Sequence, residues 1–303
     1  MPLTEISINN FRCFEGIAIS LSPGINFFYG ANGSGKTSIL EAVFIFSSGK
    51  SFKSSNLASL IKHNTNNFEL KAYDGKRGYV AEIKKDKNKS ISVELNNNKI
   101  VTSKLIKEFP CTPIHNNTFS FADASPDFRR KLLDRSIFIA EEEFSKTWFS
   151  YHRALKQRNH MLKNNRISDI YAWNNKLSQD GEMLSKFRNN FFDKTLQEFK
   201  ILLKRLEPNN IFDFFESISI NFSQGWSEEN TLFQSLEKNE QKDLQRKTTT
   251  QGPHKSDIKF LINEIDARQI LSRGEQKFFS ILWSCAQHEV LKKHYQIEAS
   301  LII

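Results

Sequence analysis

Residues 30–37 read Gly30-Ala31-Asn32-Gly33-Ser34-Gly35-Lys36-Thr37, which matches the phosphate-loop pattern G-x-x-x-x-G-K-[ST]. An apolar run at 25–29 precedes the loop, and a helix-forming run at 38–43 follows it. Strand, loop and helix in this order aim backbone N–H groups and a helix N-terminus at one phosphate group. The sequence therefore predicts a nucleoside triphosphate site, in which Lys36 reaches the β- and γ-phosphates and Thr37 ligates Mg²⁺. The alternative is a chance match in a glycine-containing turn.

Composition limits the classes of protein to be considered. The chain has 303 residues, 39% hydrophobic and 25% charged, which is typical of a globular protein rather than a disordered one. No apolar run approaches the about 18 residues of a membrane span, and the N-terminus lacks a signal peptide's apolar segment, so a cytoplasmic protein is expected. The formal net charge of +9 favours an anionic partner, and nucleic acid is the first candidate. The alternative is a basic surface that binds no such partner.

Strands are predicted up to about residue 100, and helices predominate afterwards. The predicted strands include 3–8, 17–21 and 25–29, followed by antiparallel hairpins between 68 and 100. One helix is predicted from Pro126 to about Asn164 and a second from Tyr171 to Leu206, whose apolar stripe is expected to pack against the first as a hairpin. A polar helix is predicted over 227–247, and a final helix over 274–294.

A second anion site is predicted at Leu271-Ser272-Arg273-Gly274-Glu275-Gln276, immediately before an apolar helix. A serine followed two residues later by glycine offers a hydroxyl, an unobstructed N–H and a helix N-terminus to a phosphate. Because the loop at 30–37 already surrounds a triphosphate, this second site suits a nucleotide held between two subunits.

These two motifs together resemble those of the ABC-type ATPases, and further runs narrow the resemblance to the RecF family. Lys36 and Ser272 lie 236 positions apart, too far for a compact transporter ATPase and too close for the coiled coils of SMC proteins. The sequence also has no C-x-x-C pair for a zinc hook. The resemblance covers essentially the whole chain, through residues 8–14 (INNFRCF), 125–134 (SPDFRRKLLD), 155–159 (LKQRN) and 252–257 (GPHKSD).

The resemblance implies an α/β fold with an ABC-type P-loop ATPase lobe around a mixed sheet and an inserted helical lobe. The expected boundaries are 1–120 and 248–303 for the two parts of the ATPase lobe and 121–247 for the helical insertion. ATP and Mg²⁺ are the expected cofactors. The nucleotide site would comprise Arg12, Gly30, Ala31, Asn32, Gly33, Ser34, Gly35, Lys36, Thr37 and Ser38, with Thr37 at the metal. The signature of a partner subunit would contribute Ser272, Arg273, Gly274, Glu275 and Gln276.

The implied partners are a second copy of the chain, joined on ATP binding, gapped DNA or a single-strand/double-strand junction, and recombination mediator proteins. The implied role is to help load recombinase in recombinational repair and replication restart. His254 lies in the run at 252–257, and its role stays open between a hydrogen-bonding histidine and a catalytic one.

Two departures from the family pattern bear on hydrolysis. Residues 111–118 read CTPIHNNT where relatives usually have a polar γ-phosphate sensor, so no sensor residue is assigned. The run Ser300-Leu301-Ile302-Ile303 looks like the start of the strand that would end in the Mg²⁺-binding Asp, and no acidic residue follows it. No catalytic residue is therefore assigned, and the chain is expected to be truncated before the hydrolytic carboxylates.

A basic stretch between Phe144 and Ser168 is the candidate DNA contact, because it has six Lys or Arg residues and no Asp or Glu. The candidates are Arg153, Lys156, Arg158, Lys163 and Arg166. The alternative is a solvated basic helix face whose aromatic residues belong to the core. Two alternative functions are a nucleotide-binding fragment without turnover and a transporter-type ABC ATPase.

Overall fold

The structure is a computed structural model and describes residues 3–114, 124–164, 170–206 and 218–303. It divides into two compact units, one formed by Met1–His115 with Gln296–Ile303 and the other by Asn116–Tyr295. The sequence predicts that the second unit ends before residue 248, whereas in the structure it ends at Tyr295. The strands and helices over 248–295 pack within the second unit. No helix in the described ranges has the length and apolarity needed to cross a bilayer.

Most of the first unit is an antiparallel sheet of order β2-β1-β3-β4-β5-β6. Its strands are β1 (Leu3–Phe11), β2 (Phe14–Ser20), β3 (Asn67–Asp74), β4 (Tyr79–Asp86), β5 (Ser92–Leu95) and β6 (Asn98–Lys99). Burial alternates along β3, as the two-residue period of a strand requires, and Leu70 pairs with both Ile8 and Ile83. The hairpins predicted between 68 and 100 are confirmed.

Two helices and a parallel strand pair complete the first unit. They are α1 (Lys36–Ser48), α2 (Thr102–Glu108), β7 (Cys111–Pro113) and β11 (Ser300–Ile302). Ala42 and Ile45 of α1 join the core beneath the antiparallel sheet, whereas Phe44 packs with Cys111 and Ile302 of the parallel pair. Helix α1 is thus fixed by two apolar clusters, which positions the loop that precedes it.

The strand predicted over 25–29 is wrong. This segment pairs with no strand in the described part of the chain, and Ile25, Phe27 and Tyr29 are exposed. The backbone N–H and C=O groups of a strand need hydrogen-bond partners on a neighbouring strand. An apolar composition favours a strand but does not provide that neighbour. The segment at 111–118, in which no sensor residue is assigned, is only partly described, since residues 115–118 lie outside the described ranges.

The second unit begins with α3 (Pro126–Ala140), α4 (Glu142–Lys163) and α5 (Ile170–Leu206). Ser125 caps α3 by accepting the N–H of Phe128. The single helix predicted from Pro126 is interrupted at Glu141, whose backbone is extended. The α4–α5 hairpin is confirmed by the edge-to-face contact of Phe144 with Phe187, at 5.9 Å between ring centroids.

The remaining elements of the second unit form a three-stranded sheet of order β10-β9-β8 and four further helices. They are β8 (Ile218–Ser223), α6 (Leu232–Lys238), α7 (Glu240–Arg246), β9 (Asp257–Ile262), β10 (Ile265–Asp266), α8 (Ala267–Ile270) and α9 (Arg273–Tyr295). The helix predicted over 227–247 is two short helices, the first starting at a capping box on Thr231. The apolar stripe of α5 packs on α9, where Phe192 and Phe199 contact Trp283.

Candidate functional site

The loop at 30–37 has the backbone that its glycines allow. Gly30, Gly33 and Gly35 have φ values of +148°, +84° and +93°, which L-residues with a side chain rarely adopt. A Cβ on Gly35 would lie 2.4 Å from Phe14 Cζ and 2.9 Å from Cys13 Sγ. Position 35, directly before α1, therefore requires glycine for two reasons, a left-handed backbone conformation and close packing.

The loop also has the donors that a polyphosphate requires. Within the described ranges, the N–H groups of Gly33, Gly35 and Lys36 donate to no protein acceptor. Lys36 Nζ lies at the mouth of the loop, where it donates to the carbonyl oxygens of Gly30 and Ala31, each at 2.8 Å. Free N–H groups at a helix N-terminus beside an ammonium group fit an anionic ligand. The remaining predicted loop residues are Asn32, Ser34, Thr37 and Ser38, the first three of them exposed.

Arg12 is held next to this region by a buried carboxylate on α1. Its Nε and Nη2 donate to Glu41 Oε2 and Oε1, both at 2.9 Å, and Glu41 is fully buried. The Ser51 hydroxyl donates to the same carboxylate. A guanidinium has five N–H donors, and the bidentate pair occupies only two of them. Arg12 can thus keep its ion pair and still offer donors to an anion.

Sequence reasoning missed four residues that shape this site. Cys13 and Phe14 pack against Gly35, and Glu41 with Ser51 orients Arg12. One signal was available for Glu41, because a carboxylate within an otherwise apolar helix segment needs a partner when it is buried. No local pattern identifies Ser51, since its contact with Glu41 depends on the turn after α1.

The second motif forms the N-terminus of α9 in the second unit. The Ser272 N–H donates to Glu275 Oε2 at 2.7 Å, and the Glu275 N–H donates to Ser272 Oγ at 3.3 Å, which is a capping box. Gln276 donates to the carbonyl of Leu271 at 2.9 Å. Local hydrogen bonds thus account for the serine, glutamate and glutamine of the motif, and the side chain of Leu271 is buried.

Arg273 and Gly274 differ from their neighbours in this motif. Both are exposed in the first turn of α9, and the capping box uses the side chain of neither. They are therefore the positions of the motif that its own folding leaves unexplained.

The predicted DNA-contact residues divide between the surface and the core of α4. Exposed residues at spacings of three and four form one stripe along the helix, which we call the α4 stripe. Its members are Lys146, Phe149, Arg153, Lys156, His160 and Lys163. Three of the five candidates, Arg153, Lys156 and Lys163, lie on this stripe, and Arg166 lies outside the described ranges.

Arg158 was wrongly predicted to contact DNA, because its side chain is fully buried. Its Nε donates to Asn174 Oδ1 at 2.7 Å, and its Nη1 donates to Asp243 Oδ2 at 2.7 Å and to Thr249 Oγ1 at 2.8 Å. Asp243 is also fully buried and accepts the N–H of Thr250 at 2.9 Å. Arg158 is therefore an internal ion-pair partner that joins α4, α5 and α7.

Two further Arg–Asp pairs of the second unit are joined by two hydrogen bonds each, and three of their four residues come from the runs at 125–134 and 252–257. Arg129 makes two hydrogen bonds to Asp257, at 2.7 and 2.8 Å. Arg188 makes two to Asp134, at 2.7 and 2.8 Å, and one to the carbonyl of Pro253 at 2.6 Å. These runs, which carried much of the family resemblance, are thus largely structural.

His254 belongs to the same buried network. Its Nε2 lies 2.9 Å from the Thr249 carbonyl oxygen, so it donates there, and its Nδ1 then accepts from the Tyr151 hydroxyl at 2.7 Å. Burial lowers the pKa of His254 to about 4, with Lys255 adding to the effect. Both ring nitrogens are thus engaged in internal hydrogen bonds, which favours the hydrogen-bonding role of His254 over the catalytic one.

Comparison with known proteins places the chain among similar sequences and folds. The RecF/RecN/SMC N-terminal domain model matches residues 2–293. The DNA replication and repair protein RecF of Nitrosococcus oceani is 32% identical, over 96% of this chain and 80% of its own length. The protein of the same name from Shewanella denitrificans is 30% identical, over 97% of this chain and 81% of its own.

A solved structure described as the recombination mediator protein RecF with ATP in the RecFOR pathway has a similar fold. The TM-score is 0.84 at 24% identity, with 99% of this chain and 83% of that chain covered. The predicted fold class is confirmed by this likeness.

Proposed function

The chain belongs to the RecF family, and on that premise we propose that it is an ATP-binding, DNA-binding protein of recombinational repair and replication restart. The observation that carries the proposal is the loop at 30–37, whose free N–H groups and Lys36 ammonium lie at the start of α1. Bound ATP would supply a phosphate chain that links two subunits. Lys36 would then exchange its contacts with the loop carbonyls for the β- and γ-phosphates, and Thr37 would hold Mg²⁺.

Isothermal titration with ATP and Mg²⁺ tests this assignment. Lys36→Ala should weaken ATP binding at least about 100-fold, because it removes the contact of the Lys36 ammonium with the negatively charged β- and γ-phosphates. Lys50→Ala is the matched control, since Lys50 is an exposed lysine just beyond α1. Equal affinities for the two variants would contradict the proposed site.

ATP-dependent dimerisation is the second part of the proposal. It is supported by Arg273 and Gly274, which are exposed at the start of α9 without a role in its capping. In a dimer, Ser272 Oγ and the first N–H groups of α9 would contact the γ-phosphate held by the partner, at the positive end of the helix. The Ser272–Glu275 contact of 3.3 Å is long for a hydrogen bond, so the hydroxyl is readily released.

Analytical ultracentrifugation with and without ATP tests the dimer. Gly274→Arg should leave the ATP affinity of the monomer unchanged and abolish the ATP-dependent dimer, because a long side chain would block the close approach of a phosphate. Lys277→Ala, on an exposed position about one turn after Gly274, should dimerise normally. A Gly274→Arg dimer of wild-type affinity would refute the two-subunit site. Turnover measured in the same samples separates an ATPase from a nucleotide-binding protein without hydrolysis.

Binding to DNA is proposed to involve the α4 stripe. Four cations and an exposed phenylalanine on one face can follow a phosphate backbone without reading base sequence. We propose gapped DNA or a single-strand/double-strand junction as the target, with recombination mediator proteins and a recombinase as later partners. The related structure is described as a recombination mediator protein, which supports this proposal.

The salt dependence of binding to a fluorescent gapped duplex tests the stripe. Replacing Arg153, Lys156 and Lys163 by alanine should reduce the slope of log K against log salt by about 2 to 3, one counterion for each lost phosphate contact. The control triple variant replaces exposed lysines elsewhere in the second unit, Lys200, Lys242 and Lys259. Similar slopes for the two triple variants would exclude the α4 stripe as the contact.

A further inference from the structure

An acidic groove lies in the second unit, and its lining residues are not those of the α4 stripe. Its volume is about 550 Å³, and it lies between one face of α5 and the segment that leads from β8 into α6. The α5 wall consists of Glu182, Ser185, Lys186 and Asn189, whose spacing of three and four places them on one helix face. The size lies within the range of ligand-binding clefts in proteins.

The groove is preformed by close contacts between its two walls. Glu182 Oε1 accepts the N–H of Leu232 at 2.9 Å, which ties α5 to the first residue of α6. A Cβ on Gly181 would lie 2.5 Å from Leu232 Cδ2, so the absence of a side chain there allows the close approach. The shape of the groove therefore does not depend on a ligand.

An unsatisfied polar group lies in this groove. Ser185 is 4% exposed, and its Oγ has no hydrogen-bond partner among the described residues. A buried hydroxyl without a partner costs free energy that a ligand donor or acceptor would recover. Trp226, 9% exposed, lines the opposite wall and offers an aromatic surface.

The charge of the groove indicates what kind of ligand it takes. Three carboxylates line it, those of Glu182, Glu228 and Glu229, against the single ammonium of Lys186. Glu228 and Glu229 are exposed and form no ion pair within the described ranges. On a chain of net charge +9, this local excess of negative charge repels phosphate and attracts cationic side chains.

We propose that this groove is a docking site for a lysine- or arginine-bearing segment of a partner protein. The cationic side chain lies against Trp226 between the carboxylates of Glu228 and Glu229. A polar group of the same segment bonds to Ser185 Oγ. None of the residues that line the groove belongs to the nucleotide loop or to the α4 stripe.

Indole N–H signals of the ¹⁵N-tryptophan-labelled full chain test the site directly. The probe is acetyl-Gly-Arg-Lys-Gly-amide at millimolar concentration, and acetyl-Gly-Glu-Glu-Gly-amide is its acidic counterpart. We expect a saturable shift of the Trp226 signal with the basic peptide only, while Trp148, Trp173 and Trp283 stay unchanged. Trp226→Phe identifies the signal.

Charge reversal provides the matched comparison. Glu228→Lys with Glu229→Lys should weaken binding at least about tenfold, and Ser185→Ala about threefold. Glu237→Lys with Glu264→Lys, both exposed and outside the groove, should change it less than about twofold.

Three results would overturn the proposal: an unshifted Trp226 signal, an equal response to the acidic peptide, or equal weakening by the two pairs of reversals. A shift of Trp226 by a short DNA duplex in place of the basic peptide would assign the groove to nucleic acid instead.

Discussion

Replacement of Arg158 separates a role in the core from a role at the DNA. The guanidinium lies among Asn174, Asp243 and Thr249, and both ionic partners are fully buried. Arg158→Ala leaves the carboxylate of Asp243 in the interior with hydrogen bonds from Thr250 but without its counter-ion. We expect the free energy of unfolding to fall by about 3 to 5 kcal/mol, the usual cost of removing one partner of a buried pair.

Urea unfolding followed by circular dichroism measures this loss. Lys156→Ala is the matched control, because Lys156 lies two residues away on the exposed stripe, and we expect a change within about 0.5 kcal/mol. The double variant Arg158→Ala with Asp243→Ala should be less destabilised than the sum of its single variants, since the second change removes the unpaired charge.

We expect the opposite order of effects on DNA binding, with Lys156→Ala affected and Arg158→Ala unaffected. Folded Arg158→Ala should keep the salt slope of the wild type, whereas Lys156→Ala should lose about one unit of slope. An Arg158→Ala protein of wild-type stability with weakened DNA binding would refute the reasoning.

Three other predictions concern His254, Gly225 and the Arg12–Glu41 pair. Because burial lowers the pKa of His254 from 6.5 to about 4, the unfolded chain binds the proton first, and stability falls as pH drops through this range. Between pH 7 and pH 5, urea titrations should show a loss of stability about 2 kcal/mol larger for the wild type than for a His254→Gln variant, and equal losses would contradict this. Gly225→Ala should cost at least about 2 kcal/mol in thermal unfolding, because φ is +98° and the new Cβ would lie 2.3 Å from the Gly252 carbonyl oxygen. Glu41→Gln should weaken ATP binding about fivefold by calorimetry, since Arg12 loses its charged anchor, and an unchanged affinity would exclude a positioning role.

Local sequence rules predicted the parts of the molecule that are governed by neighbouring residues. The glycines at 30–37 specify a loop with positive φ, Ser125 with Pro126 marks the start of α3, and the apolar spacing identifies α5. Each of these depends on backbone preferences or hydrogen bonds within a few positions. The nucleotide loop was accessible for the same reason, whereas the α/β class followed from the family resemblance.

Local sequence rules failed where the structure depends on pairing between residues that are distant in sequence. The strand predicted at 25–29 has the right composition, but strand formation depends on a partner that no local pattern supplies. Arg158 and Lys156 are two positions apart in one basic run, and only the first is buried. The difference arises because Arg158 faces Asp243, which is 85 positions away in sequence.

The sequence by itself determined the phosphate loop, the final helix and the family, because these reside in contiguous runs with strict spacing. Tertiary structure alone decided which cations face water and which form internal pairs, that Glu41 anchors Arg12, and that His254 stays neutral. The physical reason is that burial and charge pairing depend on what the fold brings alongside each side chain, whereas backbone conformation is set largely by adjacent residues.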